Sequence, residues 1–224
     1  MRTTEKVILA LDVDSLPKAR KFIRQLGSAI AAFKIGSVLF TAVGPEVIKQ
    51  VRKAGSRVFL DLKFHDIPNT VAGAVRMATR QGVFMLTVHT CGGREMLTAA
   101  AAAAADEAKK TGVKRPLVVG VTVLTSDKAG ADTRKEVLKR ARLAQACGLD
   151  GVVCSVQEAA AVRKACGKKF IIVTPGIRPA GAGVQDQKRV ATPQAALAAG
   201  ADYLVVGRPI LEAKDPLQAV NGLF

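Results

Sequence analysis

Aromatic residues are scarce in this sequence of 224 residues, which has no tryptophan and one tyrosine. The formal net charge of +16 suits either nucleic acid or an anionic small substrate. Proteins that read RNA or single strands stack bases on aromatic side chains, and neither a ribonucleoprotein nor a zinc-finger motif occurs here. The basic residues alternate with apolar ones at helical spacing, as in KARKFIR (18–24) and KQVRK (49–53). This pattern is typical of solvated helix faces, so we expect no nucleic-acid partner.

Long apolar runs are also missing. No stretch of about 18 uncharged apolar residues occurs, so we expect no membrane span. The first residues, MRTTEKVILALD, reach an acidic residue too early for a secretory signal peptide. The sequence therefore predicts a cytoplasmic protein.

Cysteine and histidine are few, and neither is spaced for metal binding. The cysteines show no CxxC spacing, so we expect reduced, buried thiols and not a disulfide or metal site. The two histidines have no partner histidine at metal-ligand spacing, and we expect them to be hydrogen-bonded structural residues. These residues are Cys91, Cys147, Cys154, Cys166, His65 and His89.

Short β-branched runs alternate with amphipathic segments along the whole chain. The predicted strands cover 6–11, 31–36, a segment beginning at 58, 83–89, 116–124, 151–155, 170–178 and 203–208. The predicted helices cover 16–26, 45–54, 68–81, 93–110, 132–147, 156–166, 193–199 and 215–223. Eight such units without a linker predict one α/β domain over residues 1–224, a single (β/α)8 TIM barrel.

The segment VFLDLKFHDIPNT (58–70) carries the densest chemistry in the chain. Residues two apart on a strand point to the same side, so we expect Asp61 and Lys63 to share a face at the strand's carboxyl end. Asp66 follows in the loop, just before Pro68. For an isolated Asp-x-Lys, a strand-end salt bridge would be the favoured explanation. The barrel favours a site, because active sites of such barrels lie at the carboxyl ends of the strands.

Other polar residues fall at the same end of the predicted barrel. They are Asp12, Lys34, Thr125, Ser126, Arg178, Gly207 and Arg208. The loops after the seventh and eighth strands often bind phosphate in barrels, and Arg178, Gln187 and Arg208 would donate hydrogen bonds there. The alternative is a flexible surface connection. The length of the segment 178–192 indicates a mobile lid.

DLKFHDIPNT (61–70) resembles the signature of the orotidine 5′-monophosphate decarboxylase family, Asp-x-Lys-x-x-Asp-Ile-x-x-Thr. Further similar segments follow in the family's order, and they are ALD (10–12), FKIG (33–36), VTVLTS (121–126), TPGIR (174–178), DQKRVATP (186–193) and VVGR (205–208). The resemblance implies a homodimer with shared active sites. It also implies conversion of orotidine monophosphate to uridine monophosphate and carbon dioxide, a step of de novo pyrimidine biosynthesis, without a metal or organic cofactor.

The resemblance also assigns roles to residues of this sequence. Lys63 corresponds to the proton donor, and the catalytic set would be Lys63, Asp61, Asp66 and Lys34. Lys34 would bridge Asp61 to the ribose. The substrate-binding set would be Asp12, Lys34, Asp61, Ile67, Thr70, Thr125, Arg178, Gln187, Gly207 and Arg208. Of these, Asp12 corresponds to a ribose ligand, Thr125 to a pyrimidine contact, and Gln187, Gly207 and Arg208 to phosphate ligands. Asp66, Ile67 and Thr70 correspond to residues lent to the neighbouring subunit's site.

Two rival functions stay open. One is a magnesium-dependent sugar-phosphate decarboxylase or aldolase, because those barrels share the Asp-x-Lys-x-x-Asp signature. Ile67 and Thr70 favour the nucleotide enzyme, and insensitivity to a chelator would separate the two. The other is a nucleic-acid-binding protein, indicated by the charge alone.

Overall fold

The barrel consists of eight parallel strands that pair in chain order, and β1 also pairs with β8, so the sheet closes. The structure is a computed structural model that describes residues 3–124, 131–179 and 191–224. The strands are β1 (Val7–Ala10), β2 (Ala32–Gly36), β3 (Val58–Phe64), β4 (Met85–His89), β5 (Leu117–Val121), β6 (Gly151–Val153), β7 (Ile171–Thr174) and β8 (Tyr203–Val206). The predicted fold class, a (β/α)8 barrel, is confirmed.

Helices cover the outside of the barrel. Within the described ranges they are α1 (Leu16–Leu26), α2 (Ser37–Val43), α3 (Glu46–Lys53), α4 (Pro68–Arg80), α5 (Gly93–Thr111), α6 (Ala131–Ala146), α7 (Val156–Cys166), α8 (Pro193–Ala198), α9 (Arg208–Leu211) and α10 (Pro216–Asn221). The sequence did not predict α2 and α9. Each is too short to show a helical period of its own, and α2 directly follows a strand. None of the described helices is both long and apolar enough to span a membrane.

The strands are buried on both faces, which is why they read as continuous apolar runs. Ile8, Phe59, Met85 and Val119 belong to an inner cluster, whereas residues next to them, such as Leu9, join the layer between strands and helices. Adjacent residues of a strand point to opposite sides, so every second position faces the interior. Apolar side chains fill the interior of the barrel, so the charged residues lie above this filling, at the carboxyl ends of the strands.

Several strands end earlier than the sequence predicted. Residues 170–178 were expected to form the seventh strand, but β7 stops at Thr174, and only Ile177 adds an isolated bridge, to Ala191. Apolar residues continue past the point where the ladder ends, because Pro175 lines a cavity at the carboxyl ends of the strands and Ile177 packs into the hydrophobic core. An apolar run alone therefore overestimates the strand.

The prediction of buried cysteines is wrong for Cys91. All four thiols are free, and Cys147, Cys154 and Cys166 are buried, but Cys91 is exposed. It lies in the 3₁₀ turn Thr90–Gly92, where the chain leaves β4 and passes over the barrel rim. Thr90 of the same turn is buried, whereas the Cys91 thiol lies beside His65 and His89 and stays exposed.

Candidate active site

A cavity of about 500 Å³ opens at the carboxyl ends of the strands. Clefts of this size accommodate small-molecule ligands. The predicted residues that line it are Asp12, Lys34, Asp61, Lys63, Arg178, Gly207 and Arg208. One cavity thus brings together residues from both ends of the chain.

Adjacent strands place four of these residues side by side. Ala32 and Phe59 belong to the inner cluster, so Lys34 and Asp61, two positions further along, also face the interior. The strand register determines their level along the barrel axis. Lys34 pairs with Ala10 of β1, and Asp61 pairs with Gly36 of β2. Asp12 follows β1 at the same rim.

The four side chains form a row of alternating charge, called here the charged row: Asp12, Lys34, Asp61 and Lys63. Lys34 Nζ lies 3.0 Å from Asp12 Oδ1 and 3.6 Å from Asp61 Oδ2. Lys63 Nζ lies 2.9 Å from Asp61 Oδ2. Asp61 and Lys34 are nearly buried, with 13% and 12% of their side chains exposed. Each acid faces an ammonium, so the row is neutral overall while presenting localised charge to the cavity.

The carboxyl end of β3 is not a regular strand. Leu60 pairs with Leu86 and Phe64 with Val88, so β3 advances four residues where β4 advances two. Lys63 within this bulge has a φ of +51°, the one positive φ at a non-glycine residue in the described chain. Bulges re-aim side chains next to active sites. The predicted Asp61–Lys63 proximity exists, but regular alternation is not its cause.

Two neighbours of the row were not singled out from the sequence. Thr87 of β4 donates to Asp61 Oδ1 at 3.0 Å and accepts from the Lys63 backbone N–H at 2.8 Å. Gly36 at the end of β2 leaves the space that the Lys34 ammonium occupies. The sequence offered one signal for each of these residues. Thr87 is a hydroxyl residue within the buried run MLTVH, and Gly36 is the glycine of FKIG.

The wall formed by β5, β6 and the residues after them is apolar. It includes Val121, Val123, Val153 and Cys154. Burial, reinforced by the nearby Glu158 carboxylate, raises the pKa of the Cys154 thiol, which therefore stays neutral. A ligand in this cavity would contact charge on one side and an uncharged surface on the other.

Arg178, Gly207 and Arg208 line the cavity beyond the ends of β7 and β8. The Arg178 backbone N–H donates to the Ala191 carbonyl at 3.0 Å, and only 8% of Arg178 is exposed. The predicted ligands Thr125 and Gln187, together with Ser126 and most of the predicted lid, lie outside the described residues. The described basic residues meet the requirement for an anion site on this side of the barrel.

Asp66, Ile67 and Thr70 do not line the cavity of their own chain. All three are exposed at the rim, and Ile67 has 66% of its surface exposed. Asp66 Oδ1 accepts from the Ile67 backbone N–H at 2.6 Å, and no ion pair of Asp66 occurs within the described ranges. Within its own chain, Lys63 pairs with Asp61 and not with Asp66.

The two histidines lie together at the rim. Cys91 Sγ is 2.9 Å from His89 Nδ1, and the His65 and His89 ring centroids are 5.6 Å apart. Among the residues that the structure describes, no group of three or more His, Cys, Asp or Glu side chains is arranged to hold a metal ion.

The closed barrel and the charged row at its carboxyl end define a class, that of (β/α)8-barrel enzymes with a polar small-molecule site. The model of the orotidine 5'-phosphate decarboxylase / HUMPS family matches residues 5–223. The chain belongs to this family and is a carboxy-lyase, as the resemblance of its motifs predicted.

Named relatives agree with the family match. The chain is 48% identical to orotidine 5'-phosphate decarboxylase of Moorella thermoacetica, over 100% of this chain and 92% of the relative. It is 49% identical to the protein of the same name from Hydrogenovibrio crunogenus, over 96% and 93% of the two chains. Among solved structures, the orotidine 5'-phosphate decarboxylase of Lactobacillus acidophilus superposes with a TM-score of 0.84 at 34% identity, covering 98% of this chain and 97% of that one.

Proposed function

We propose that the protein decarboxylates orotidine 5′-monophosphate to uridine 5′-monophosphate and carbon dioxide, without a metal or organic cofactor, as a step of pyrimidine biosynthesis. The observation that carries this proposal is the charged row, which sets the Lys63 ammonium beside the Asp61 carboxylate at the edge of a nucleotide-sized cavity. Family membership and the names of the relatives support the same substrate.

Lys63 is the proton donor in this proposal. The bond between the pyrimidine ring and its carboxylate breaks, carbon dioxide leaves, and the electron pair stays on the ring carbon. A fixed ammonium next to that carbon stabilises the developing negative charge and then transfers a proton to it. The neutral Lys63 amine regains a proton from water. Lys63 suits this role because 39% of its side chain is exposed to the cavity and its ammonium is held at 2.9 Å from Asp61.

The remaining residues of the row orient the substrate. Asp12 and Lys34 would bind ribose hydroxyls, and Lys34 would link them to Asp61 through its contacts of 3.0 and 3.6 Å. Asp61 would stand close to the departing carboxylate and disfavour its ionised ground state. Because the row is assembled before substrate binds, little reorganisation is needed during the reaction.

Independence from metal follows from how the acids are used. Both carboxylates of the row already pair with lysine ammoniums, which supply the positive charge that a metal would otherwise provide. Arg178, Gly207 and Arg208, with Gln187, would bind the phosphate group. Contacts to this remote group can supply free energy for closing the site over the ring.

We propose a homodimer in which Asp66, Ile67 and Thr70 complete the partner's site. Ile67 and Met77 expose 66% and 46% of their surfaces on and beside α4, and Val38 exposes 60% on α2. Exposed apolar residues next to a site are candidates for an interface. A two-fold contact would let each chain give and receive the same segment.

The cellular setting is also part of the proposal. We propose one domain over residues 1–224 acting in the cytoplasm, where free thiols such as the four found here persist. We propose no nucleic-acid partner, because the site lysines are already paired with acids and the substrate is itself anionic.

The test is an absorbance assay for loss of orotidine 5′-monophosphate with EDTA present throughout. We expect the rate of substrate loss to be unchanged by the chelator and to be absent in controls without enzyme. Loss of activity with EDTA, restored by Mg²⁺, would contradict the cofactor-free mechanism. Turnover of a sugar phosphate in place of the nucleotide would instead indicate the other branch of the family.

A further inference from the structure

We infer that Thr87 is a positioning residue for the proposed decarboxylation, whose hydroxyl fixes both the Asp61 carboxylate and the backbone of Lys63. This inference rests on the proposed function and adds to it a residue on β4, outside the signature segment. Thr87 does not line the cavity, and its side chain is fully buried. It therefore acts through the pair and not on the substrate.

The direction of both hydrogen bonds is determined by chemistry. The Lys63 backbone N–H has only a proton to give, so the Thr87 hydroxyl oxygen accepts it, at 2.8 Å. The hydroxyl proton then points to Asp61 Oδ1, 3.0 Å away, where an ionised carboxylate has only lone pairs to offer. One hydroxyl thus joins the main chain of the proposed proton donor to the side chain of its neighbouring acid.

The irregularity of β3 explains why a side chain is needed here. Between Leu60 and Phe64 the regular pairing with β4 is interrupted, and Thr87 lies in the stretch of β4 opposite the bulge. A buried backbone N–H without a partner is unfavourable. The Thr87 hydroxyl takes the place of a ladder carbonyl for Lys63, whose φ of +51° is uncommon for a residue with a side chain.

Because of the second hydrogen bond, the two oxygens of the Asp61 carboxylate have different partners. Oδ1 is held by Thr87, which leaves Oδ2 facing the ammoniums of Lys63 at 2.9 Å and Lys34 at 3.6 Å. Without the hydroxyl, the carboxylate can rotate about its last torsion, and the Lys63 backbone loses its anchor. Both effects displace the ammonium from the reacting carbon, and a displacement of about 1 Å lowers rates by about a hundredfold.

The test compares Thr87→Val, which keeps the shape but removes the hydroxyl, with Thr87→Ser, which keeps the hydroxyl. For Thr87→Val we expect kcat on orotidine 5′-monophosphate to fall by about a hundredfold with KM little changed. For Thr87→Ser we expect kcat near that of the wild type. The pH profile of kcat should also shift in Thr87→Val and return in Thr87→Ser, which a purely structural role would not produce.

Thr79→Val is the matched control. Thr79 is also fully buried, and its hydroxyl donates to the Val75 carbonyl at 2.8 Å inside α4, away from the cavity. We expect this variant to lose thermal stability without losing kcat. Equal kcat in Thr87→Val and the wild type would overturn the inference, as would equal losses in Thr87→Val and Thr79→Val.

Two further measurements distinguish failure of this inference from failure of folding and from failure of the proposed function. If Thr87→Val does not fold, Thr87→Cys replaces it, since a thiol is a weak hydrogen-bonding group of similar size. Lower kcat for Thr87→Cys than for Thr87→Ser would support the inference, and equal kcat would overturn it. The wild type is measured in the same assay, so a wild type inactive on the nucleotide would refute the proposed function, whereas an active wild type with an equally active Thr87→Val refutes only the role of Thr87.

Discussion

Gly36 and Lys34 lie so close together that a β-carbon on Gly36 would stand 3.0 Å from Lys34 Nζ and 3.3 Å from Asp12 Oδ1. The Gly36 backbone has a φ of −94°, which alanine adopts without strain. Alanine at this position would therefore fold normally, but the Lys34 ammonium would have to move by a few tenths of an ångström within the charged row. The relationship explains why a glycine ends β2 beside the site.

For Gly36→Ala we expect kcat/KM to fall about tenfold, equal to about 1.4 kcal/mol of lost transition-state binding. Thermal unfolding should stay close to that of the wild type. The deciding measurement is a double-mutant cycle with Lys34→Ala: if Gly36→Ala acts through the lysine, it costs nothing further in that background. Full additivity of the two losses would contradict this explanation.

Replacing Lys63 by alanine removes the proposed proton donor. We expect turnover to fall by about 10⁴-fold or more, because general-acid and electrostatic contributions are lost together. Binding of uridine 5′-monophosphate, measured by calorimetry, should persist. Lys18→Ala is the matched control, since Lys18 pairs with Asp14 at the surface, where 62% of its side chain is exposed. Near-normal turnover in Lys63→Ala would remove this residue from the mechanism.

Arg208 should discriminate nucleotide from nucleoside. Arg208→Ala is expected to weaken binding of orotidine 5′-monophosphate by about 1.5–3 kcal/mol, the range for a hydrogen bond to a charged group, while barely affecting orotidine. The same contrast is expected for Gln187→Ala. Arg24→Ala, an exposed arginine on α1, serves as the control for total charge. Equal losses for both ligands would show that Arg208 does not bind the phosphate.

Away from the site, the ion pair between Arg80 and Glu107 should make the free energy of unfolding depend on pH. The Arg80 guanidinium, 2.5 Å from Glu107 Oε1, lowers the pKa of this buried carboxyl below its ordinary value of about 4.5. A lowered folded-state pKa stabilises the protein above the unfolded pKa and stops doing so as the pH falls through the folded one. Arg80→Ala should therefore reduce the free energy of unfolding at pH 7. The difference in free energy of unfolding between Arg80→Ala and the wild type, measured by urea titration, should become smaller below about pH 4. If this difference in free energy of unfolding does not change with pH, Arg80 stabilises the protein through packing alone.

The sequence identified the barrel and most of the charged row because both depend on local patterns. Eight strand–helix units determined the architecture, and the barrel then located Asp12, Lys34 and Asp61 at one rim. Elements without a period of their own were missed, such as α9, a single turn after β8. The fold was thus predictable to the extent that each unit carries its own apolar repeat.

The finer geometry of the site depends on contacts between distant parts of the chain. The bulge in β3 results from its pairing with β4, and residues 61 and 63 alone give no sign of it. Thr87 acquires its partners only when β4 lies next to β3, 24 residues from Lys63 and 26 from Asp61. Spacing within a motif cannot reveal such a neighbour.

The last prediction is that each active site takes Asp66 and Thr70 from the other subunit. Asp66 is exposed and makes no ion pair in the described part of its own chain, although Lys63 is three residues away. An acid at the rim beside the exposed Ile67 suits a two-fold contact, in which each subunit offers the same surface. The Lys63→Ala and Asp66→Ala homodimers should each be nearly inactive.

Mixing these two variants after dissociation tests the arrangement. Random pairing makes about half of the dimers hetero, and in each of these one site carries both lesions while the other carries neither. Activity should therefore recover toward about a quarter of the wild-type value. The control pair, Lys63→Ala with Lys34→Ala, places both lesions on residues that each chain supplies to its own site, so no heterodimer has an intact site and mixing should restore nothing. If subunit exchange is verified by mass and the first pair also stays inactive, Asp66 serves its own chain and the shared-site proposal is wrong.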